Sequence, residues 1–259
     1  MKYRRIITTT LMGFILGSLL FAQTGVDQLI NDFVSDDWPE VKAAKDSLEN
    51  LEGMAVPELI KLLDRDEIVR LQNTGSLIYP GAEKFFGHGQ IVEYDIDNLS
   101  IRAGWLLEDL SFNNFGFSGY HLNDDNLMNF IRITFPEYYN NSNNRRKLET
   151  TSYAGLRGII HKLSINNAKA WWEEQGSDWS RLDALVEALH SFDEKRQVKA
   201  LFYLRNGTTT CKGLTKDYYI DHISKEIVRL GSSDTKRVSE HARLILYDTK
   251  FTWLDSKAR

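Results

Sequence analysis

The sequence predicts an all-α fold built from stacked helical hairpins. Alternating strand patterns are nearly absent, and only the segment 90–96 alternates enough to suggest a strand. The predicted helices are about 10–15 residues long and are joined by short polar connections, which is typical of antiparallel helical hairpins. Five segments carry apolar residues at i, i+3, i+4 and i+7, the spacing that places four apolar side chains on one helix face: they are 26–33, 56–63, 103–110, 156–163 and 182–189.

The first 22 residues are predicted to be an export signal. Lys2, Arg4 and Arg5 precede the uncharged segment 6–22, and a polar stretch begins at Gln23. A membrane-spanning helix is the alternative, but it needs about 20 strongly apolar residues, and this run is shorter and contains three threonines. We therefore expect a cleaved signal peptide, a periplasmic or extracellular location and no stable membrane anchor after cleavage.

The charge of the chain narrows the class of partner. The formal net charge is −4, and residues 1–22 contain three basic residues and no acidic ones, so the chain without them carries −7. An acidic protein is a poor match for nucleic acid, because phosphate contacts need a clustered basic surface. It favours a protein partner with a basic surface through electrostatic steering. The single cysteine, Cys211, excludes a disulfide framework, and we expect it to be buried.

The first helix pair carries the most specific pattern in the chain. Asp37 and Glu40 flank Trp38-Pro39 as a helix start, an Asp-x-x-x-Val spacing leads to Val41, and a Val-Pro pair opens the next helix at 56–57. This unit resembles a HEAT-type repeat. Degenerate openings of the same kind occur at 193–204 and 234–246, and the segment 156–179 is similar to a Trp-Trp-Glu stretch of exported bacterial HEAT-like proteins. The resemblance implies a short HEAT-like solenoid that acts as a scaffold for protein contacts and carries no catalytic residues.

The predicted organisation after the signal is a single helical domain over 23–259. HEAT-like hairpins occupy 23–74, a Gly- and aromatic-rich insert occupies 75–119, and further helices occupy 120–259. Within the last part, 140–147 is predicted to be a solvated loop.

The insert 75–119 contains seven of the 17 glycines and eight aromatic residues. A loop held on a rigid scaffold presents side chains outward, so the insert is a candidate binding surface. The alternative is a packed connection whose aromatic side chains close the core. The candidate binding residues are Tyr79, Phe86, His88, Tyr94, Trp105, Phe115 and Phe117.

The sequence offers no catalytic, cofactor or metal site with a specific motif. The adjacent Glu173 and Glu174 diverge by about 100° on a helix and so do not flank one bond. Glu187 and His190 form half of a di-iron pattern without its second half. Two acidic and histidine groups could converge: His88 with Asp95 and Asp97, and His121 with Asp124 and Asp125.

Three functions therefore remain open. The first is a non-catalytic scaffold that mediates protein–protein contacts in the bacterial envelope. The second is a periplasmic immunity protein that blocks a toxin, and the third is a metal-dependent enzyme that uses the central insert. The absence of catalytic motifs favours the first.

Overall fold

The computed structural model describes residues 25–82, 89–209 and 211–247. Regular structure in these ranges is mostly helical, which confirms the all-α prediction. The predicted export signal, 1–22, lies outside the described residues. Within the described ranges, no helix combines the length and apolar character needed to cross a membrane.

Two short strands and a series of helices make up the described chain. The strands, β1 (Leu77–Ile78) and β2 (Gln90–Ile91), pair in parallel. A π-helical turn, Tyr219–Ile223, joins α11 to α12. The helices are α1 (25–33), α2 (Trp38–Leu51), α3 (Val56–Leu62), α4 (Leu99–Ser111), α5 (Asp124–Thr134), α6 (Pro136–Asn140), α7 (Ser142–Glu149), α8 (Tyr153–Gln175), α9 (Arg181–His190), α10 (Glu194–Asn206), α11 (Lys216–Tyr218), α12 (Ser224–Leu230) and α13 (Lys236–Tyr247).

The helix start predicted at Asp37 coincides with the start of α2. Asp37 is the N-cap of α2, with Pro39 in the first turn, although its carboxylate does not cap the helix amides. It instead accepts a hydrogen bond of 2.6 Å from Nδ2 of Asn73. Ser180 caps α9 by accepting from the backbone amide of Asp183.

Helix α4 lies at the centre of the fold and contacts α2, α3, α8 and α9. Its apolar residues Ala103, Leu106, Leu107 and Leu110 are fully buried. Gly104 gives the ring of Phe117 room to approach, since a Cβ atom at position 104 would lie 2.4 Å from that ring. Because α4 falls inside the segment predicted as an insert, this part of the segment is a packed helix.

One buried charge stabilises the region around α4. The guanidinium of Arg102 is completely buried and donates to the backbone carbonyls of Phe33, Ser35, Val69 and Ile96 at 2.6–3.0 Å. These carbonyls belong to three separate connections. Arg102 therefore supplies hydrogen-bond donors to backbone carbonyls that no neighbouring strand or helix pairs, and so holds these segments together.

The C-terminal helices form two hairpins that pack side by side. Helix α9 packs against α10, α12 packs against α13, and α10 and α13 make the contact between the pairs. Cys211 is fully buried in the apolar core of this region, as expected. The pairs support stacked hairpins locally, while a HEAT-like solenoid over the whole chain stays a prediction.

The prediction of a loop at 140–147 is wrong. Most of this segment lies in α7, whose N-cap Asn141 accepts hydrogen bonds from the backbone amides of Asn143 and Asn144. Leu148 is buried against the neighbouring core. A side-chain cap and one apolar anchor thus stabilise a helix whose composition is otherwise almost entirely polar.

Candidate functional site

A cleft of about 750 Å³ opens between α2, α4 and α10. The segment 89–94 lies along one side, and α13 contributes Arg237 and His241. Each of the three main walls is a single helix face with residues three or four positions apart. These faces are Trp38, Lys42, Lys45 and Glu49 on α2, Trp105, Glu108, Asp109 and Phe112 on α4, and Lys195, Val198, Lys199 and Phe202 on α10.

Glu49 joins α2 to the C-terminal half of the chain. Its carboxylate pairs with Lys45 on the same helix and lies 3.3 Å from Nη2 of Arg181, while Thr209 donates to it at 2.6 Å. Burial opposes its ionisation, yet Lys45 and Arg181 lower the pKa of Glu49 to about 2. Glu49 is therefore a carboxylate at neutral pH, with its charge neutralised by its neighbours.

Asp109 connects the α2 and α10 walls. One oxygen of its carboxylate lies 3.2 Å from Nζ of Lys45, and the other lies 3.1 Å from Nζ of Lys199. Burial works against protonation of Lys199, but the carboxylates of Asp109 and Glu108 outweigh it and raise the pKa of Lys199. Both lysines are consequently held as ammonium groups by fixed counter-charges.

Glu108 is the most deeply buried carboxylate of the site and is fully inaccessible to solvent. The hydroxyl of Tyr94 donates to it at 2.6 Å, and the backbone amides of Gly116 and Phe117 donate to it at 2.9 and 3.2 Å. Lys199 approaches to 3.6 Å. Glu108 therefore fixes the loop after α4 and the segment at Tyr94 against the same wall of the cleft.

Lys195 differs from the other inner lysines of the cleft. It has no carboxylate within 4.0 Å among the described residues, and its Nζ lies 4.7 Å from the ring centre of Phe130 and 3.5 Å from Oγ of Ser118. Burial lowers the pKa of Lys195 despite the attraction of the Glu108, Asp193 and Glu93 carboxylates, and the positive charge of Lys199 one turn away adds to the lowering. The cleft thus contains one inner lysine that makes no direct ion pair with a described carboxylate.

Two large apolar side chains are exposed at the rim of the cleft, among mostly polar ones. Ile91 is 72% exposed on the β2 side, and Phe202 is 54% exposed on α10. The ring of His241 meets that of Phe202 edge to face at 6.4 Å, and the Nδ1 atom of His241 is buried with no hydrogen-bond partner in the described part of the chain. Large apolar side chains left in water at the mouth of a cleft are typical of a binding surface.

The structure separates the residues that the sequence grouped as a binding surface. Tyr94 and Trp105 line the cleft, each more than nine-tenths buried. Tyr79, Phe115 and Phe117 are buried in the main apolar core, so for these three the packed alternative describes what is observed. Phe86 and His88 lie outside the described residues.

The acidic and histidine groups converge only in part. The carboxylate of Asp95 lies 2.8 Å from Nε2 of His121, whereas Asp97 accepts hydrogen bonds from the amide of Leu71 and the hydroxyl of Tyr79. Asp124 pairs instead with Arg157 at 2.7 Å. Within the described ranges, no three His, Cys, Asp or Glu side chains are placed to hold a metal ion.

The remaining candidates lie apart on helix surfaces. Glu187 approaches Arg196 at 3.8 Å, and the ring of His190 contacts the carbonyl of Val186 through Nδ1. Glu173 and Glu174 are exposed.

Sequence reasoning missed the charged walls of the cleft. A search for apolar stripes passes over α10, where the cleft face mixes Lys195, Val198, Lys199 and Phe202. The same spacing test, applied to any recurring side-chain type, would have found this face. No sequence pattern shows that the faces of α2, α4 and α10 meet, because that contact joins positions more than 60 residues apart.

Comparisons with known proteins assign no function to the cleft. The chain matches no protein-family model, no curated protein and no solved structure.

Proposed function

We propose that this chain is an exported, non-catalytic helical protein that binds another protein of the bacterial envelope through the cleft between α2, α4 and α10. The observation that carries the proposal is the combination of a charged interior whose groups pair with one another and a rim at which the apolar side chains of Ile91 and Phe202 are exposed. Such a rim is stable in water but gains free energy when a partner covers it.

The engagement of the buried carboxylates supports binding over catalysis. Glu49, Glu108 and Asp109 each contact at least two donors or cations of the protein. A general base or nucleophile has to exchange protons or bonds with a substrate, whereas these groups are committed to holding the walls in place. A fixed, preorganised wall suits recognition, because little ordering is needed on binding.

The dimensions and charge of the site support a protein partner. A volume of about 750 Å³ admits a few side chains of an inserted segment, while the exposed rim extends the contact beyond the cleft. The acidic charge of the chain attracts a partner with a basic surface from a distance. The two C-terminal helical hairpins support the HEAT-like, scaffold-type reading of the fold.

Site-directed photo-crosslinking tests the proposal, with Phe192 as the matched control. Phe192 is a fully exposed phenylalanine on the turn before α10 and does not line the cleft. A photoreactive phenylalanine analogue at position 202, in full-length protein expressed in its own host, should crosslink to one envelope protein that the analogue at position 192 does not capture. Equal products from both positions, or none from position 202, would contradict the proposal.

A further inference from the structure

The cleft contains three inner lysines in two different electrostatic states. Lys45 and Lys199 each contact Asp109, and each has a second carboxylate nearby. Lys195 lies one helical turn from Lys199 on the same face of α10, yet no described carboxylate lies within 4.0 Å of it. A partly buried ammonium without a direct ion pair is costly, because burial removes water that would otherwise stabilise it.

We propose that Lys195 is the anchor point of the cleft for a carboxylate side chain of the partner protein, with an apolar side chain of the same segment seated at Phe202. The inference rests on the proposed function and names the chemistry of the group that enters. An incoming carboxylate supplies the direct ion pair that this position lacks, whereas the carboxylates at Lys45 and Lys199 would repel it from those sites.

The spacing of the two contact residues sets the form of the partner segment. Lys195 and Phe202 are seven positions apart on α10, which separates them by about 10 Å along the helix axis. In an extended segment, residues i and i+2 point to the same side. An acidic residue and an apolar residue at that spacing, both with long side chains, span the distance from Lys195 to Phe202.

A second group of the cleft also favours an acceptor on the ligand. Arg181 is 1% exposed and lines the cleft, and its Nε atom has no hydrogen-bond partner in the described part of the chain. Buried N–H groups are normally paired, so an unpaired one on a cleft wall indicates a missing acceptor. Nε of Arg181 is a donor, whereas Oδ1 of Asn114, also buried on the cleft without a partner in the described residues, is an acceptor, so a peptide that brings a carboxylate and backbone N–H groups offers a partner to each.

The net charge of the protein and the charge at Lys195 act at different ranges. The acidic surface governs the encounter with a partner, and its effect is weakened by salt. The contact at Lys195 is made inside the cleft, where screening is weaker. A partner with a basic surface and an acidic side chain on the inserted segment complements both the negative net charge of the chain and the positive charge of Lys195.

A charge-matched peptide pair tests the inference on the full chain without the partner. The probes are acetyl-Glu-Ala-Phe-amide and acetyl-Gln-Ala-Phe-amide, and binding is followed by NMR chemical shifts of the α10 amides. The glutamate peptide should bind about tenfold more tightly than the glutamine peptide. In Lys195→Met this ratio should fall to about one, and in Lys42→Met, a change of an exposed lysine at the same cleft, it should persist.

The two possible failures are distinguishable. A ratio near one in the wild-type protein, or a ratio that persists in Lys195→Met, overturns the role of Lys195 as a carboxylate anchor. Crosslinking through position 202 would then still support the proposed function. If the analogue at position 202 gives no crosslink and the glutamate peptide does not bind the wild-type protein, both the role of Lys195 and the proposed function are overturned.

Discussion

The guanidinium of Arg181 and the carboxylate of Glu49 meet at 3.3 Å although they are 132 residues apart in the chain. Both side chains are buried. Arg181 also lies over the ring of Tyr203, with its Cζ 4.7 Å from the ring centre. This contact joins the first helix pair to the C-terminal hairpins and forms the inner end of the cleft.

Removal of the Glu49 charge should destabilise the protein strongly. Glu49→Gln leaves Lys45 and Arg181 buried without their shared counter-charge, and breaking a buried pair in this way costs about 3–5 kcal/mol. Urea unfolding measures the change in the free energy of unfolding. Glu173→Gln is the control, because Glu173 is an exposed glutamate of α8 and its change should have little effect. Similar unfolding free energies for the two variants would show that the contact between Glu49 and Arg181 does not hold α2 to the C-terminal helices.

The same carboxylate predicts how stability depends on acid. Its pKa in the folded protein is about 2, below the ordinary value of 4.5, so its contribution is complete above pH 4.5 and is lost as the pH falls towards 2. The unfolding free energy of the wild-type protein should therefore decline over this window more steeply than that of Glu49→Gln. Parallel declines would mean that Glu49 is not the group responsible.

A pair of glycine substitutions tests the close packing at α4. Gly104→Ala places a methyl group within 2.4 Å of the Phe117 ring and should destabilise the protein by about 1–3 kcal/mol. Gly158→Ala, in the interior of α8 with nothing within 4 Å of the new atom, should stabilise it by about 0.5–1 kcal/mol. Thermal unfolding of both variants gives the comparison, and a stable Gly104→Ala protein would contradict the described contact.

Replacement of Lys195 should stabilise the isolated protein. Lys195→Met removes an ammonium that burial disfavours and keeps the apolar stem, so we expect a gain of about 0.5–2 kcal/mol at neutral pH. Because the pKa of Lys195 is lowered in the folded state, wild-type stability should also rise as the pH increases from that lowered pKa towards 10.5, and the variant should lack this rise. A destabilised variant would indicate that Lys195 is a structural residue.

The sequence predicted the helices well because their formation depends on local patterns. The apolar spacing of 103–110 predicts a helix that α4 confirms, and the start predicted at Asp37 is that of α2. The cleft depends on contacts between distant segments, such as Glu49 with Arg181, which no local pattern encodes. Of the aromatic residues chosen as binding candidates, Tyr94 and Trp105 line the cleft, while Phe117 turned inward because Gly104 leaves space for its ring.

The affinity of the crosslinked partner shows whether the cleft between α2, α4 and α10 is the binding site that we propose. The dissociation constant of the purified partner is measured by calorimetry for the wild-type chain, Phe202→Ser and Phe192→Ser. Phe202→Ser should weaken binding by about tenfold or more, since an exposed aromatic anchor is lost at the rim, and Phe192→Ser should bind like the wild type. Equal affinities for all three proteins would mean that the partner does not bind at the cleft.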